Sequence, residues 1–323
     1  ATITINLNDL NDAPVINNAI FALDENATNG TAVGTVPVTD PDTGDTHVYS
    51  ITAGNTGGAF AIDNTGNITV ANSAALNFET TPIFILTVQV QDQGGTGLTD
   101  TAIVTVNLNN LNEAPTTSGI ANVTVGEDAP NTVIDLFAAF ADTEDADANL
   151  TYAITANNNP GLFASTAIDG VAGTLTLDYA PNANGSAAIT VRATDTSGLW
   201  VETTFTVTVN PVNDAPVTTP ITLTAISEDS GTRLITQAEL LANATDVDGP
   251  TLTANNLTIS AGSGTLVDNG DGSWNYTPAA NNDTSVSFTY TVTDGSLTAA
   301  GSATLDITPV NPANDNDPTD NSN

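Results

Sequence analysis

The stretch "NLNDLNDAPV" (residues 6–15) recurs as "NLNNLNEAPT" (107–116) and as "NPVNDAPV" (210–217). Pro14, Pro115 and Pro216 lie 101 residues apart, and Pro318 of "NDNDP" follows 102 residues later. A period of this length is the size of a small domain, not of a solenoid unit. The motif therefore marks the joints of a tandem array. Its first copy follows "ATITI", which aligns with "AIVTV" ahead of the second copy, so residues 1–12 read as the last strand and linker of a preceding repeat. Three repeats follow at 13–111, 112–212 and 213–313, with an acidic linker or tail at 314–323.

Between the joints the pattern is that of sheets. Thr-rich alternating runs such as "TAIVTVNLN" (101–109) and "TTFTVTVN" (203–210) have the period of half-buried strands. In the first repeat the alternation predicts strands at 20–23, 32–38, 47–52, 60–62, 67–70, 84–92 and 99–108. The turn signals "TNG", "DPDTGD", "DNTG" and "DQGG" separate them. About seven short strands per hundred residues predict an all-β chain of three tandem Greek-key β-sandwiches, arranged as a rod. One short helix is expected, at "TQAELLAN" (236–243).

Charge sets the chemistry. The chain carries 37 Asp and Glu against two basic residues, Arg192 and Arg233, for a formal net charge of −35. Nucleic acid and anionic membrane surfaces repel such a chain, and no apolar run is long enough to enter a bilayer. With no Cys there are no disulfides and no thiolate chemistry. His47 is the sole histidine, and nothing near it in sequence suggests a catalytic triad. The acids recur in every repeat, whereas an active site would appear once, so no enzyme is expected.

The acids keep fixed places. "LDEN" (23–26) becomes "VGED" (125–128) and "ISED" (226–229). "TDPDTGD" (39–45) becomes "ADTEDAD" (141–147) and "TDVDG" (245–249). "VQVQDQGG" (88–95) becomes "VRATDTSG" (191–198) and "YTVTDGS" (290–296). Each repeat thus has an early Glu, an acid pair at spacing two and a late Asp before a hairpin. Asp-Gly turn chemistry accounts for any one of these. The whole set suits calcium, which takes six to eight hard oxygen ligands from several segments.

These residues resemble cadherin-type repeats, in the bacterial branch found in large surface adhesins. "DEN" (24–26), "DPD" (40–42), "NFE" (77–79) and "QDQG" (91–94) carry the likeness in the first repeat, and "LLANATDVDG" and "TYTVTDG" in the third. The resemblance implies calcium at the joints. Carried over position by position, the first complete joint takes Glu25 and Glu79, then Asn110, Asn112 and Glu113, then Asp142, Glu144 and Asp195. The second takes Glu127, Asn213, Asp214, Asp246, Asp248 and Asp294. Asp9, Asn11, Asp12, Asp40, Asp42 and Asp92 form part of a further joint. Asn77, Asn110 and Glu144 stand where the family carries Asp, and the second joint is expected to hold fewer or weaker ions.

The implied function is a calcium-rigidified extracellular segment of a bacterial adhesin, acting in adhesion or as a spacer. Its partners would be calcium, other copies of itself, or cell-surface and polysaccharide ligands. Two other readings remain open: a fibre subunit that donates the strand at 2–7 to a neighbour, and a carbohydrate-binding module using Trp200, which alternation places off the core face.

Overall fold

The computed structural model describes residues 2–6, 10–93 and 97–310. They form two compact units, Ala1–Ala114 with Asp142–Glu144, and Pro115–Ala141 with Asp145–Asn323.

In the first unit a four-stranded sheet runs in the order Ala19–Asp24, Thr99–Asn109, Ile83–Asp92, His47–Ala53. The first pair is parallel and the others antiparallel. A three-stranded sheet of Ala32–Thr35, Asn67–Val70 and Phe60–Ile62 covers it. Because side chains alternate across a strand, Phe84, Leu86, Val88 and Val90 all point inward, as do Ala102, Val104, Val106 and Leu108. They pack with Phe60, Ile68 and Val70 into one core, in which the Phe60 and Phe84 rings meet edge to face at 5.1 Å.

The second unit contains the same arrangement twice, each with its own core. Its four-stranded sheets are Val123–Gly126, Trp200–Asn210, Gly185–Thr194, Thr151–Asn157, and Ile221–Ser227, Thr298–Thr308, Val286–Thr293, Thr253–Ala261. Phe205, Val207, Leu175 and Leu177 anchor one core, and Tyr276, Phe288, Leu305 and Trp274 the other. The chain is all-β, as the alternation predicts.

Two strand expectations need correction. The run 32–38 is not one strand: Ala32–Thr35 stays in the three-stranded sheet, and Val38–Thr39 crosses to pair with Val15–Ile16. Gly34 sits at a register shift and Pro37 has no N–H for a ladder, so the strand breaks where it turns the corner. The same break recurs at Phe140–Ala141 and Ala244–Thr245. Second, the described residues 2–6 lie in no strand, and Ile3 and Ile5 are exposed. The tail at 314–323 lies outside the described residues. The expected helix is present but short, Gln237–Leu240, started by a Thr236–Glu239 capping box.

Candidate metal centres

In each repeat a buried glutamate directly follows the strand that pairs parallel with the last one: Glu25, Glu127 and Glu228. The strand delivers all three in the same way, their N–H groups bonding the Asn109, Asn210 and Thr308 carbonyls of the parallel last strand. The next residue turns the chain sharply, with Asn26, Asp128 and Asp229 in the left-handed region that Asn and Asp tolerate best. One carboxylate oxygen then accepts a linker N–H: Leu111 on Glu25 (2.8 Å), Val212 on Glu127 (2.7 Å) and Val310 on Glu228 (2.7 Å). The glutamates therefore pin the linker to the sandwich. In the first repeat the other oxygen accepts from Phe78 N (2.8 Å), which draws in the "NFE" turn with Glu79.

The acid pair meets the linker that precedes it in each repeat, and the late Asp does so in the first and third. Asp40 Oδ1 accepts from Asp42 N (2.9 Å), and Asp42 Oδ2 from Asp12 N (2.6 Å). Asp142 Oδ1 accepts from Glu144 N (3.0 Å), and Glu144 Oε2 from Glu113 N (3.3 Å). Asp246 Oδ1 accepts from Asp248 N (2.9 Å), and Asp248 Oδ2 from Asp214 N (2.8 Å). The linker Asn donates to the late Asp, Asn11 to Asp92 (2.9 Å) and Asn213 to Asp294 (2.7 Å). Asn112, like Asn11 and Asn213, also donates to the carbonyl of the next residue. Asp195 is buried after its strand and accepts from Ser197 N and Leu199 N. Asn110 is exposed, and Asp9 lies outside the described residues.

Turn chemistry thus accounts for one oxygen of Asp40, Asp142, Asp246, Asp195 and Asp294. The remaining oxygens decide the site's chemistry. Asp92 Oδ1, Glu113 Oε2, Glu144 Oε1, Asp214 Oδ2 and Asp246 Oδ2 are buried and have no hydrogen-bond partner. Buried carboxylate oxygens of native proteins are nearly always paired, so five of them at predicted ligand positions point to a missing partner of positive charge. Glu25, Glu79 and Glu113 each bring an oxygen within 4.8 Å of the others, and so do Asp40, Asp42 and Asp45. The donors are oxygens on several segments, the set that hard divalent cations take. Those residues fit calcium.

The electrostatics agree. Burial and the neighbouring carboxylates of Glu144, Glu25 and Glu79 push the Glu113 carboxyl up to about 7. Asp45 is raised by burial and by Asp42, Asp40 and Asp92, and Asp214 by burial and by Asp128, Asp248, Glu127 and Asp246. Asp40 moves the other way, because the Asp42 N–H and the His47 ring 3.0 Å away favour its charged form.

Sequence reasoning missed Asp45 and Glu228. Asp45 stands inside the quoted "DPDTGD", and Glu228 repeats Glu25 and Glu127 at the array's own spacing. The competing sugar-binding candidate fares less well. Trp200 is half exposed as expected, but the Arg192 guanidinium lies 4.1 Å from its ring centre, and Arg192 pairs with Glu202. One face of the ring is therefore covered by a cation rather than free for a sugar.

Comparison with known proteins shows the family. Residues 20–109 match the family model of the cadherin domain, and residues 212–308 that of the cadherin-like domain. Protocadherin Fat 4 of Mus musculus is 31% identical over 257 residues, which cover 74% of this chain and 5% of that protein. The protocadherin-like wing polarity protein stan of Drosophila melanogaster is 36% identical over 172 residues, 50% of this chain and 5% of that one. The chain spans about 5% of the length of these relatives. Among solved structures, protocadherin gamma B2 extracellular cadherin domains 1–5 align over 92% of this chain and 60% of theirs, with a TM-score of 0.60 at 20% identity. Mouse cadherin-23 EC22–24 aligns over 90% of this chain and 96% of its own, with a TM-score of 0.57 at 19% identity. The chain is a tandem of cadherin-type domains.

Proposed function

We propose that this chain is an extracellular, calcium-rigidified adhesive or spacer segment whose linkers are locked by ions held on the acids described above. The observation that carries the reading is the row of buried carboxylate oxygens without partners, at Asp92, Glu113, Glu144, Asp214 and Asp246. Without a cation these groups repel one another across short distances, and the linkers loosen. With one, each linker is clamped to its sandwiches. Glu25, Glu79, Asn112, Glu113, Asp142 and Glu144 would serve one linker, with Asp195 proposed beside them. Glu127, Asn213, Asp214, Asp246, Asp248 and Asp294 would serve the next, and Asn11, Asp12, Asp40, Asp42, Asp45 and Asp92 the first. No three acids of the second linker come as close as the Glu25 group does among the described residues, which favours weaker binding there.

The parent molecule is proposed to be a bacterial surface adhesin. That step rests on the likeness of the "LLANATDVDG" and "TYTVTDG" signatures to such repeats. Its curated relatives named above are animal proteins.

Small-angle scattering tests the rigidity. In millimolar calcium the intact chain is expected to give a narrow, long distance distribution, and excess chelator to shorten and broaden it. An unchanged distribution after calcium removal would overturn the reading.

Proton competition gives a second test. Glu113 in the folded chain keeps its proton up to about 7, whereas the unfolded chain releases it near 4.5. The folded state therefore binds more protons across that window, so the metal-free fold loses stability as pH rises through it. Calcium must displace that proton. Its apparent affinity by titration calorimetry is expected to climb by up to about tenfold per pH unit between pH 5 and 7, the limit for one released proton. Glu113→Gln is expected to flatten this slope.

A further inference from the structure

The outward face of the first repeat's four-stranded sheet differs from its counterparts. Ile20, Ile83, Ile85 and Ile103 point to solvent there, 75%, 51%, 60% and 41% exposed. The register brings them together: Ile20 and Ile85 both pair with Thr105, Ile83 pairs with Asn107, and Ile103 with Thr87. Val48 on the outer strand is exposed on the same face.

The other two repeats supply an internal control. The pairs Phe84–Val106, Ala187–Val207 and Val286–Leu305 are equivalent in the three sheets. Counting out from them, the four Ile positions are occupied by Asn122, Ser186, Ala188 and Thr204 in the second repeat. In the third they are Thr222, Ser285, Ser287 and Ser302. A soluble sandwich of this kind thus has no need of isoleucine on that face. Scattered surface apolar residues need no explanation, but a contiguous patch does.

We infer that this face is a self-association surface, on which the partner is the same face of a second copy of the chain. Charge selects the occupant. In a chain of net charge −35, two copies meet only where carboxylates are not forced together. Among the outward positions of these four strands the one charged side chain is Asp24, at a strand end and bonded by Asn109 Nδ2 (2.8 Å). A basic partner would be drawn to the acids elsewhere and would find no counter-charge here. Shape is also self-matching: a two-fold axis through the face sets the Ile rows of one copy over the Thr105 row of the other, in an isologous contact. Strands of 6, 11, 10 and 7 residues, at about 3.4 Å per residue and about 4.8 Å apart, present roughly 550 Å² per copy, in the small range of weak, reversible interfaces. This inference stands apart from the calcium reading, since none of its residues is a proposed ligand.

The test uses the intact chain in millimolar calcium. Sedimentation velocity is expected to show a dimer growing with concentration, and Ile20→Thr with Ile85→Thr to weaken it at least tenfold while leaving the calcium-dependent melting shift unchanged. Because the chain has no cysteine, an equal mixture of Ile85→Cys and Thr105→Cys copies is expected to yield a disulfide-linked dimer under mild oxidation, and Ser287→Cys, at the matching place in the third repeat, to stay monomeric. A wild-type monomer at all concentrations, including one that takes up some other partner on this face, would overturn the inference. So would a dimer untouched by the double Thr substitution.

Discussion

Calcium added to the metal-free protein is expected to raise its melting temperature by about 10 °C or more. The size follows from mass action, since a ligand that binds only the folded state at a hundred times its Kd stabilises by about 2.7 kcal/mol per site. A domain of roughly a hundred residues shifts by about 4–8 °C per kcal/mol. The repeats hold separate cores, so the effect falls on each sandwich that contributes ligands. Differential scanning calorimetry with calcium, with magnesium and with chelator measures it. Magnesium is expected to do far less, because it demands a tight octahedron and gives up its waters reluctantly, whereas these oxygens come from three separate segments. Equal shifts with both ions would point to general charge screening of a strongly acidic chain, and no shift with calcium would remove the metal centres altogether.

Much of this architecture is legible in the residues. The period of the Pro-containing linker motif and the strict alternation at 84–92 and 99–108 are enough to place long strands and their inward faces, since burial of every second side chain leaves one workable register. The pairing of the first long strand is not legible. Ala19–Asp24 runs parallel to Thr99–Asn109 across some eighty residues of chain, and no local pattern encodes a partner that distant. Two-residue strands such as Val15–Ile16 are also invisible, because a single alternation is no signal. The same limits hold at the metal centres. Asp40, Asp42 and Asp92 stand out by repetition, but Asp45 does not, since its neighbours in space are set by the loop's path and not by spacing. Alternation puts Trp200 on its observed face, but no sequence pattern tells that Arg192 covers it. Hydrophobicity alone also could not separate the Ile20–Ile85 face from a core face: the alternation reads "IFILTVQV" as apolar on both sides at its start.

Glu127 offers the sharpest division between structural and metal-binding roles. Its buried carboxylate receives Val212 N at 2.7 Å and Asn184 Nδ2 at 3.4 Å, so it fastens the linker before any ion arrives. Glu127→Ala leaves the Val212 N–H without its acceptor, which costs about 1–3 kcal/mol if no water replaces it. Glu127→Gln keeps an acceptor oxygen of the same shape and removes the charge. The metal-free Gln variant is therefore expected to be as stable as the parent or more so, because a negative neighbour of Asp214 is gone. In calcium the order reverses: the Gln variant loses most of the stabilisation of the third repeat and the part of the second repeat's that comes from this linker, while the first repeat, whose acids are untouched, keeps its own. Calorimetric scans of parent, Ala and Gln forms with and without calcium separate the two roles. If the Gln variant responds to calcium as the parent does, Glu127 is a structural clamp and not a ligand; if it is destabilised without calcium as much as the Ala variant, charge was never what the position required.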